Sequence, residues 1–111
     1  MGIEKKISSK EVGLEIGLVL SEFFFKTEHL HFGFWPDDLE ISIDNLKKSQ
    51  DYHSAKIIDS IPDGVQTILD VGSGSGGLAK KLVEKGYEVE CVSPSDYLSN
   101  AIEKKLKLNV K

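Results

Sequence analysis

The stretch Thr67-Ile68-Leu69-Asp70-Val71-Gly72-Ser73-Gly74-Ser75-Gly76-Gly77 constrains the fold of this chain more than any other. An apolar run ends in an acid, breaks into glycines and then becomes helical, with Leu78, Leu82 and Val83 along one side of Gly77 to Lys85. This is the signature of a strand feeding a tight loop feeding a helix. Glycines at such a junction let the main chain approach a ligand that side chains would block. A nucleotide-type cofactor site is the most economical reading.

The elements around this junction repeat its logic. Gly86 stops the helix, and Tyr87 to Val92 reads as a second strand. Ser95 caps a further helix carrying Leu98, Ile102 and Leu106, and the alternating Leu106-Lys107-Leu108-Asn109-Val110 opens a third strand. Strands alternating with helices at this spacing imply a parallel sheet with helical crossovers. The segment before it is helical. Ser8 and Glu11 form a capping box, and Val12, Ile16, Val19, Leu20, Phe23 and Phe24 predict a helix over Ser9 to Lys26. Leu30, Phe32 and Phe34 alternate in a short extended segment that ends at Pro36. A second helix is predicted from Ile43 to Ser60, capped by Ser42 or Asp44, with Leu46, Gln50, His53, Ile57 and Ile61 facing inward. The fold class is therefore α/β. A helical N-terminal segment (1–64) precedes the first part of a Rossmann-like, doubly wound parallel sheet (65–111), which is expected to be incomplete.

Two cofactor patterns overlap in the loop. Gly72, Gly74 and Gly77 satisfy the dinucleotide spacing, so an NAD(P)-binding domain is one reading. Gly72, Gly74 and Gly76 after Asp70 satisfy another: this stretch resembles motif I of class I S-adenosylmethionine-dependent methyltransferases. A pyrophosphate favours bare amides at a helix N-terminus, and a nearby acid would repel it. S-adenosylmethionine carries an ammonium and a sulfonium instead of phosphate, and Asp70 suits a cation. Both cofactors call for an acid at the end of the second strand to meet ribose hydroxyls. Here that position is Ser93, a departure from both patterns.

The segment His29-Leu30-His31-Phe32-Gly33-Phe34-Trp35 is similar to the helical cap segment of small-molecule and cyclopropane-synthase-like methyltransferases, as is Leu46-Lys47-Lys48-Ser49-Gln50. The resemblance runs from about Leu30 to Ala101 and implies methyl transfer to a small-molecule acceptor. It implies that Asp70 orients the amino-acid portion of the cofactor. Gly72, Ser73, Gly74 and Gly76 would pass the main chain close to that portion, and Ser93 would contact the ribose. Trp35 and the histidines would belong to a lid. Gln50 is equally a cofactor contact or a satisfied core amide, and no catalytic residue is legible. The chain resembles the first half of such an enzyme. Alone it is expected to be weakly active or inactive, and to associate through its unfinished sheet, as a homodimer or with a completing chain. A non-catalytic binding or interaction module is the alternative.

Composition excludes other classes. The net charge is −4, and the lysines at 104, 105 and 107 read as a solvated helix face. Nucleic acid and anionic membranes are therefore poor partners. The apolar stretch Val12 to Phe25 carries Glu15 and Glu22 and is too short to span a bilayer. Met1 to Lys6 shows neither a secretory core nor a myristoylation motif. Cys91 is the single cysteine and reads as a small core residue, so a cytoplasmic location is expected. His29 and His31 lack a third ligand at metal spacing, so no metal is expected.

Overall fold

A computed structural model describes residues 8–108 and 110–111; the stretch 1–7, which bears on targeting signals, lies outside them. Helix α1 runs Ser9–Phe25, and the Ser8 hydroxyl accepts from the Glu11 N–H at 3.2 Å. Only half of the expected capping box forms, because the Glu11 carboxylate turns to another helix. Lys26 ends α1 in the left-handed region. Its apolar stripe is largely uncovered. Leu18 alone on α1 is buried, while Ile16, Phe23 and Phe24 are 52%, 67% and 62% exposed. No described element lies against that side.

The residues after α1 form no strand, in contrast to the extended segment predicted. Their polar groups are met by side chains and carbonyls of helix α2, Leu46–Asp59, instead of by a neighbouring strand. Gln50 accepts from the Thr27 hydroxyl at 2.7 Å and donates to the carbonyls of His29 and His31 at 3.2 and 2.8 Å. The Phe34 N–H reaches the Ser49 carbonyl at 2.8 Å. Gly33 lies so close to α2 that a Cβ there would stand 1.9 Å from Ser49 Oγ. Helix α2 also starts later than expected. Residues 42–45 form a turn in which the Asn45 N–H bonds back to the Ser42 carbonyl, and neither Ser42 nor Asp44 is the N-cap. The buried face carries Ser49, Gln50, Ser54 and Ile58, while Ile57 remains exposed. Small serines permit a close approach, so the helix rotates by about one residue from the face its apolar spacing suggests.

Strand β1 (Thr67–Val71), helix α3 (Gly77–Glu84), strand β2 (Glu88–Val92) and helix α4 (Asp96–Leu106) follow in the predicted order. The strands pair in parallel, from Thr67 against Glu88 to Val71 against Val92. On its other edge β2 makes one isolated bridge, Cys91 to Val110, at the end of the stretch expected to open a third strand; no third strand forms among the described residues, and the Lys111 N–H reaches the Cys91 carbonyl at 2.9 Å. One sheet face is covered: Ile58, Ala79, Leu82, Val89, Cys91 and Ile102 form the core, drawn from α2, α3, β2 and α4. Burying a side chain such as Leu82 or Ile102 contributes about 2 kcal/mol. The other face is open, with Leu69 58% and Val71 70% exposed. Among the described residues no helix is long and apolar enough to cross a membrane.

Candidate functional site

The alternation of β1 sends Ile68 and Asp70 toward the helices and Leu69 and Val71 away from them. The chain then turns sharply, with Gly72, Gly74 and Gly76 at φ of 73°, 56° and 83°. Side chains rarely adopt this left-handed backbone, so the loop needs glycine there. The turn is pinned from within and from outside. The Gly72 N–H reaches the Val92 carbonyl at 2.8 Å, and the Ser73 hydroxyl reaches the Asp70 carbonyl at 2.7 Å. The Ser75 hydroxyl donates to the Glu28 carbonyl, joining the loop to the segment after α1. Open space lies before Gly72 and Gly74, where a Cβ would meet nothing within 4 Å.

A cavity of about 370 Å³ opens in front of this loop. Its lining includes Asp70, Gly72, Ser73 and Gly74 together with His29, His31 and His53. Asp70 is half-buried, and its Oδ2 is shielded from solvent with no hydrogen-bond partner. Burial pushes its carboxyl above the usual carboxylate range, against the opposing pull of the Ser73 hydroxyl.

The histidine rings lie in series and tilted to one another, His29 against His31 at 4.8 Å between ring centroids and His31 against His53 at 4.7 Å. His29 is buried, and its Nε2 lies 3.2 Å from Asp51 Oδ1. Burial lowers its pKa, outweighing the hydrogen bond to Asp51 that raises it. Burial works against the charge on Asp51, but hydrogen bonds from Lys47 (2.8 Å) and Lys81 (2.5 Å) overcome it and hold that carboxyl well below its usual range. The His29 ring rests on the first residue of α3: a Cβ on Gly77 would stand 2.7 Å from its Cε1. Among the described residues no group of histidine, cysteine and acid could hold a metal ion.

The other expected site residues fall elsewhere. Gly76 is the N-cap of α3, packed under Ile102. Trp35 and Gln50 line a second cavity of about 610 Å³ beneath α1, with Gly17, Phe25 and Phe32. His29, Leu30 and His31 border both cavities. Of the two roles open to Gln50, its geometry matches the core amide, since both ends of its side chain are engaged within the chain. Ser93 sits just past β2, and its hydroxyl accepts from the Ser95 N–H at 3.3 Å. Sequence reasoning placed His53 on the inner face of its helix without assigning it to the site. The signal it lacked was the fold, which brings α2 across the end of β1.

Neither a family model nor a curated protein matches the sequence. Solved structures do resemble the fold. The (4+2)-cyclase SpnF superposes with a TM-score of 0.66 at 17% identity, over 99% of this chain and 44% of that one. Geranyl diphosphate C-methyltransferase from Streptomyces coelicolor A3(2), in complex with Mg2+, geranyl-S-thiolodiphosphate and S-adenosyl-L-homocysteine, gives 0.67 at 17% identity, over 96% and 49%. The mycolic acid cyclopropane synthase CmaA1, complexed with SAH, gives 0.63 at 19% identity, over 96% and 40%. The chain thus spans under half the length of these proteins. Over that part it has their fold.

Proposed function

We propose that the cavity before the glycine loop binds S-adenosylmethionine and that the chain serves methyl transfer to a small-molecule acceptor. The observation that carries this reading is the unpartnered, shielded Oδ2 of Asp70 beside an open left-handed glycine turn. Such a carboxylate suits the ammonium of an amino-acid ligand and opposes the pyrophosphate of a dinucleotide. The cyclopropane synthase and the geranyl diphosphate methyltransferase that share the fold were each captured with the demethylated cofactor.

When bound, the cofactor supplies a methyl group on a sulfonium leaving group. The chain's own task is to hold and align. Asp70 holds the ammonium, and the glycine turn brings main-chain N–H groups close without side chains in the way. Ser93, at the end of β2, is assigned to the ribose. The segment 1–64 acts as a lid over 65–111, and Trp35 faces the second cavity, which we assign to the acceptor. A single buried thiol suits a reducing compartment, and we assign the chain to the cytoplasm.

Calorimetry tests the cofactor. S-adenosylhomocysteine is expected to bind and Asp70→Ala to weaken it at least about tenfold. Tighter binding of NAD would overturn the assignment.

A second reading is favoured by the open sheet face. Leu69 and Val71 are exposed, and β1 has no described partner on its outer edge. Such a surface invites pairing. In this reading the chain is a binding module finished by another polypeptide or by a second copy. Sedimentation velocity is expected to show self-association that Leu69→Lys reduces. A strictly monomeric chain at high concentration would count against this reading.

A further inference from the structure

The cavities of this chain offer a ligand different groups. The one before the glycine loop holds Asp70. Another, at the start of α3, is bordered by Lys26, Lys47, Lys80 and Lys81 with Glu28, Asp51 and Glu84. The cavity of about 610 Å³ beneath α1 has neither acid nor lysine nor arginine among the described residues that line it. Its apolar wall is Phe25, Leu30, Phe32, Trp35 and Leu46, together with Gly17 of α1. These side chains are within reach of a ligand: Phe25 and Leu30 are each 37% exposed, and Trp35 and Leu46 are half-buried. The polar side chains of the same wall are engaged within the fold. The Thr27 hydroxyl donates to Gln50 and accepts from the His29 N–H, and Gln50 donates to two carbonyls. His29 pairs with Asp51, and His31 Nδ1 meets the Phe32 carbonyl. Ser21 is the one further polar side chain in the wall. A charged group moved into this space would lose its water and find no counterion, which is costly. An apolar skeleton would gain by burying itself against the rings.

We propose that this cavity binds an uncharged small molecule with a mainly apolar skeleton and discriminates against charged ones. Its volume suits a drug-sized ligand. His29, Leu30 and His31 border both this cavity and the one before the glycine loop, so a single stretch of chain separates the two. Identifying the ligand as the methyl acceptor rests on the methyl-transfer reading; the binding itself does not. Glycine at position 17 keeps the space open. A Cβ there would meet nothing within 4 Å, so a larger side chain can enter the cavity without a clash. Gly13, one turn earlier on α1, has the same freedom but does not line the cavity. Replacing each glycine by leucine favours the helix equally, so the pair separates filling of the cavity from a change in helix propensity.

Trp35 is the single tryptophan of the chain, so its fluorescence reports on this wall alone. The test is titration of the full chain at neutral pH with ω-bromooctanol and with ω-bromooctanoate, whose bromine quenches tryptophan on contact. The uncharged alcohol is expected to quench Trp35 saturably and to bind at least about tenfold more tightly than the carboxylate of equal chain length. Gly17→Leu should lower the affinity for ω-bromooctanol at least about fivefold, and Gly13→Leu should leave it unchanged. Quenching that does not saturate would overturn the inference. So would binding of the carboxylate as tight as that of the alcohol, or equal affinity in the two leucine variants. Calorimetry with S-adenosylhomocysteine, run alongside, separates the two readings. Binding of that cofactor without saturable quenching overturns this inference alone. Saturable quenching without binding of that cofactor upholds the apolar site and overturns methyl transfer. The comparison of the two probes on the unaltered chain needs no variant to fold.

Discussion

Glu11 caps a helix whose N-cap residue lies 84 residues further along the chain: its Oε1 accepts from the Ser95 hydroxyl at 2.8 Å and, beside it, from the Tyr97 N–H at 3.1 Å. A carboxylate at the N-terminus of α4 meets unsatisfied N–H groups and the positive end of the helix dipole. With little else of α1 buried, this contact anchors α1 to the rest of the fold. Glu11→Ala is expected to destabilise the chain by about 1 kcal/mol. Hydrogen exchange should show α1 opening more in the variant than α3 or β2. Uniform loss of protection would mean that α1 is held some other way.

The contact between Gly77 and the His29 ring should appear as coupling. Gly77→Ala places a methyl group inside van der Waals range of a buried imidazole, and about 1–3 kcal/mol of destabilisation is expected. In a His29→Ala background the same change should cost little, because the obstructing ring is gone. Urea unfolding of the two single variants and the double variant measures this directly. Additive effects would exclude the contact as the cause.

Asp70 is expected to weaken the ligand-free fold. A carboxyl whose pKa is raised by folding adds stability below its ordinary pKa near 3.8, and that contribution is lost as pH rises through the folded value. At neutral pH the native state therefore holds a charge it disfavours. Asp70→Asn should raise apo stability by about 1 kcal/mol while ligand affinity falls. The stability gain should shrink on acidification, which thermal melts across the carboxylate range will show.

Two acid transitions should separate. His29 has a lowered pKa, so its contribution is complete above the ordinary imidazole value of 6.5 and is lost as pH falls toward the folded value. Asp51 also has a lowered pKa, and its contribution is lost only below the ordinary carboxylate value of 3.8. His29→Gln should remove the first stability loss and spare the second. Asp51→Asn should cost about 1 kcal/mol at neutral pH, because solvent screens the third of the carboxylate that is open to it. Melts from neutral to strongly acidic pH resolve both.

What the sequence made legible was local. The glycine turn, the Ser8 and Ser95 caps and the parallel β-α-β order depend on residues a few positions apart, and each appears where the spacing placed it. What it concealed depends on distant partners. Leu30, Phe32 and Phe34 mark a short extended segment by alternation, but its polar groups are met by Gln50 and Ser49 from another element instead of by a strand. The face of α2 is set by how closely serines let it approach Gly33, which apolar periodicity does not record. The histidines were visible as residues but not as a cluster, because His53 reaches His31 only after α2 folds back over the cap segment.

The position of Cys91 gives the chain a built-in clock. It is 0% exposed, paired with Asp70 on one side and bridged to Val110 on the other. A thiol reagent can reach its sulfur only when the helices that cover it part from the sheet. The rate at which such a reagent labels the chain thus times that parting, and any ligand seated against Asp70 should slow it.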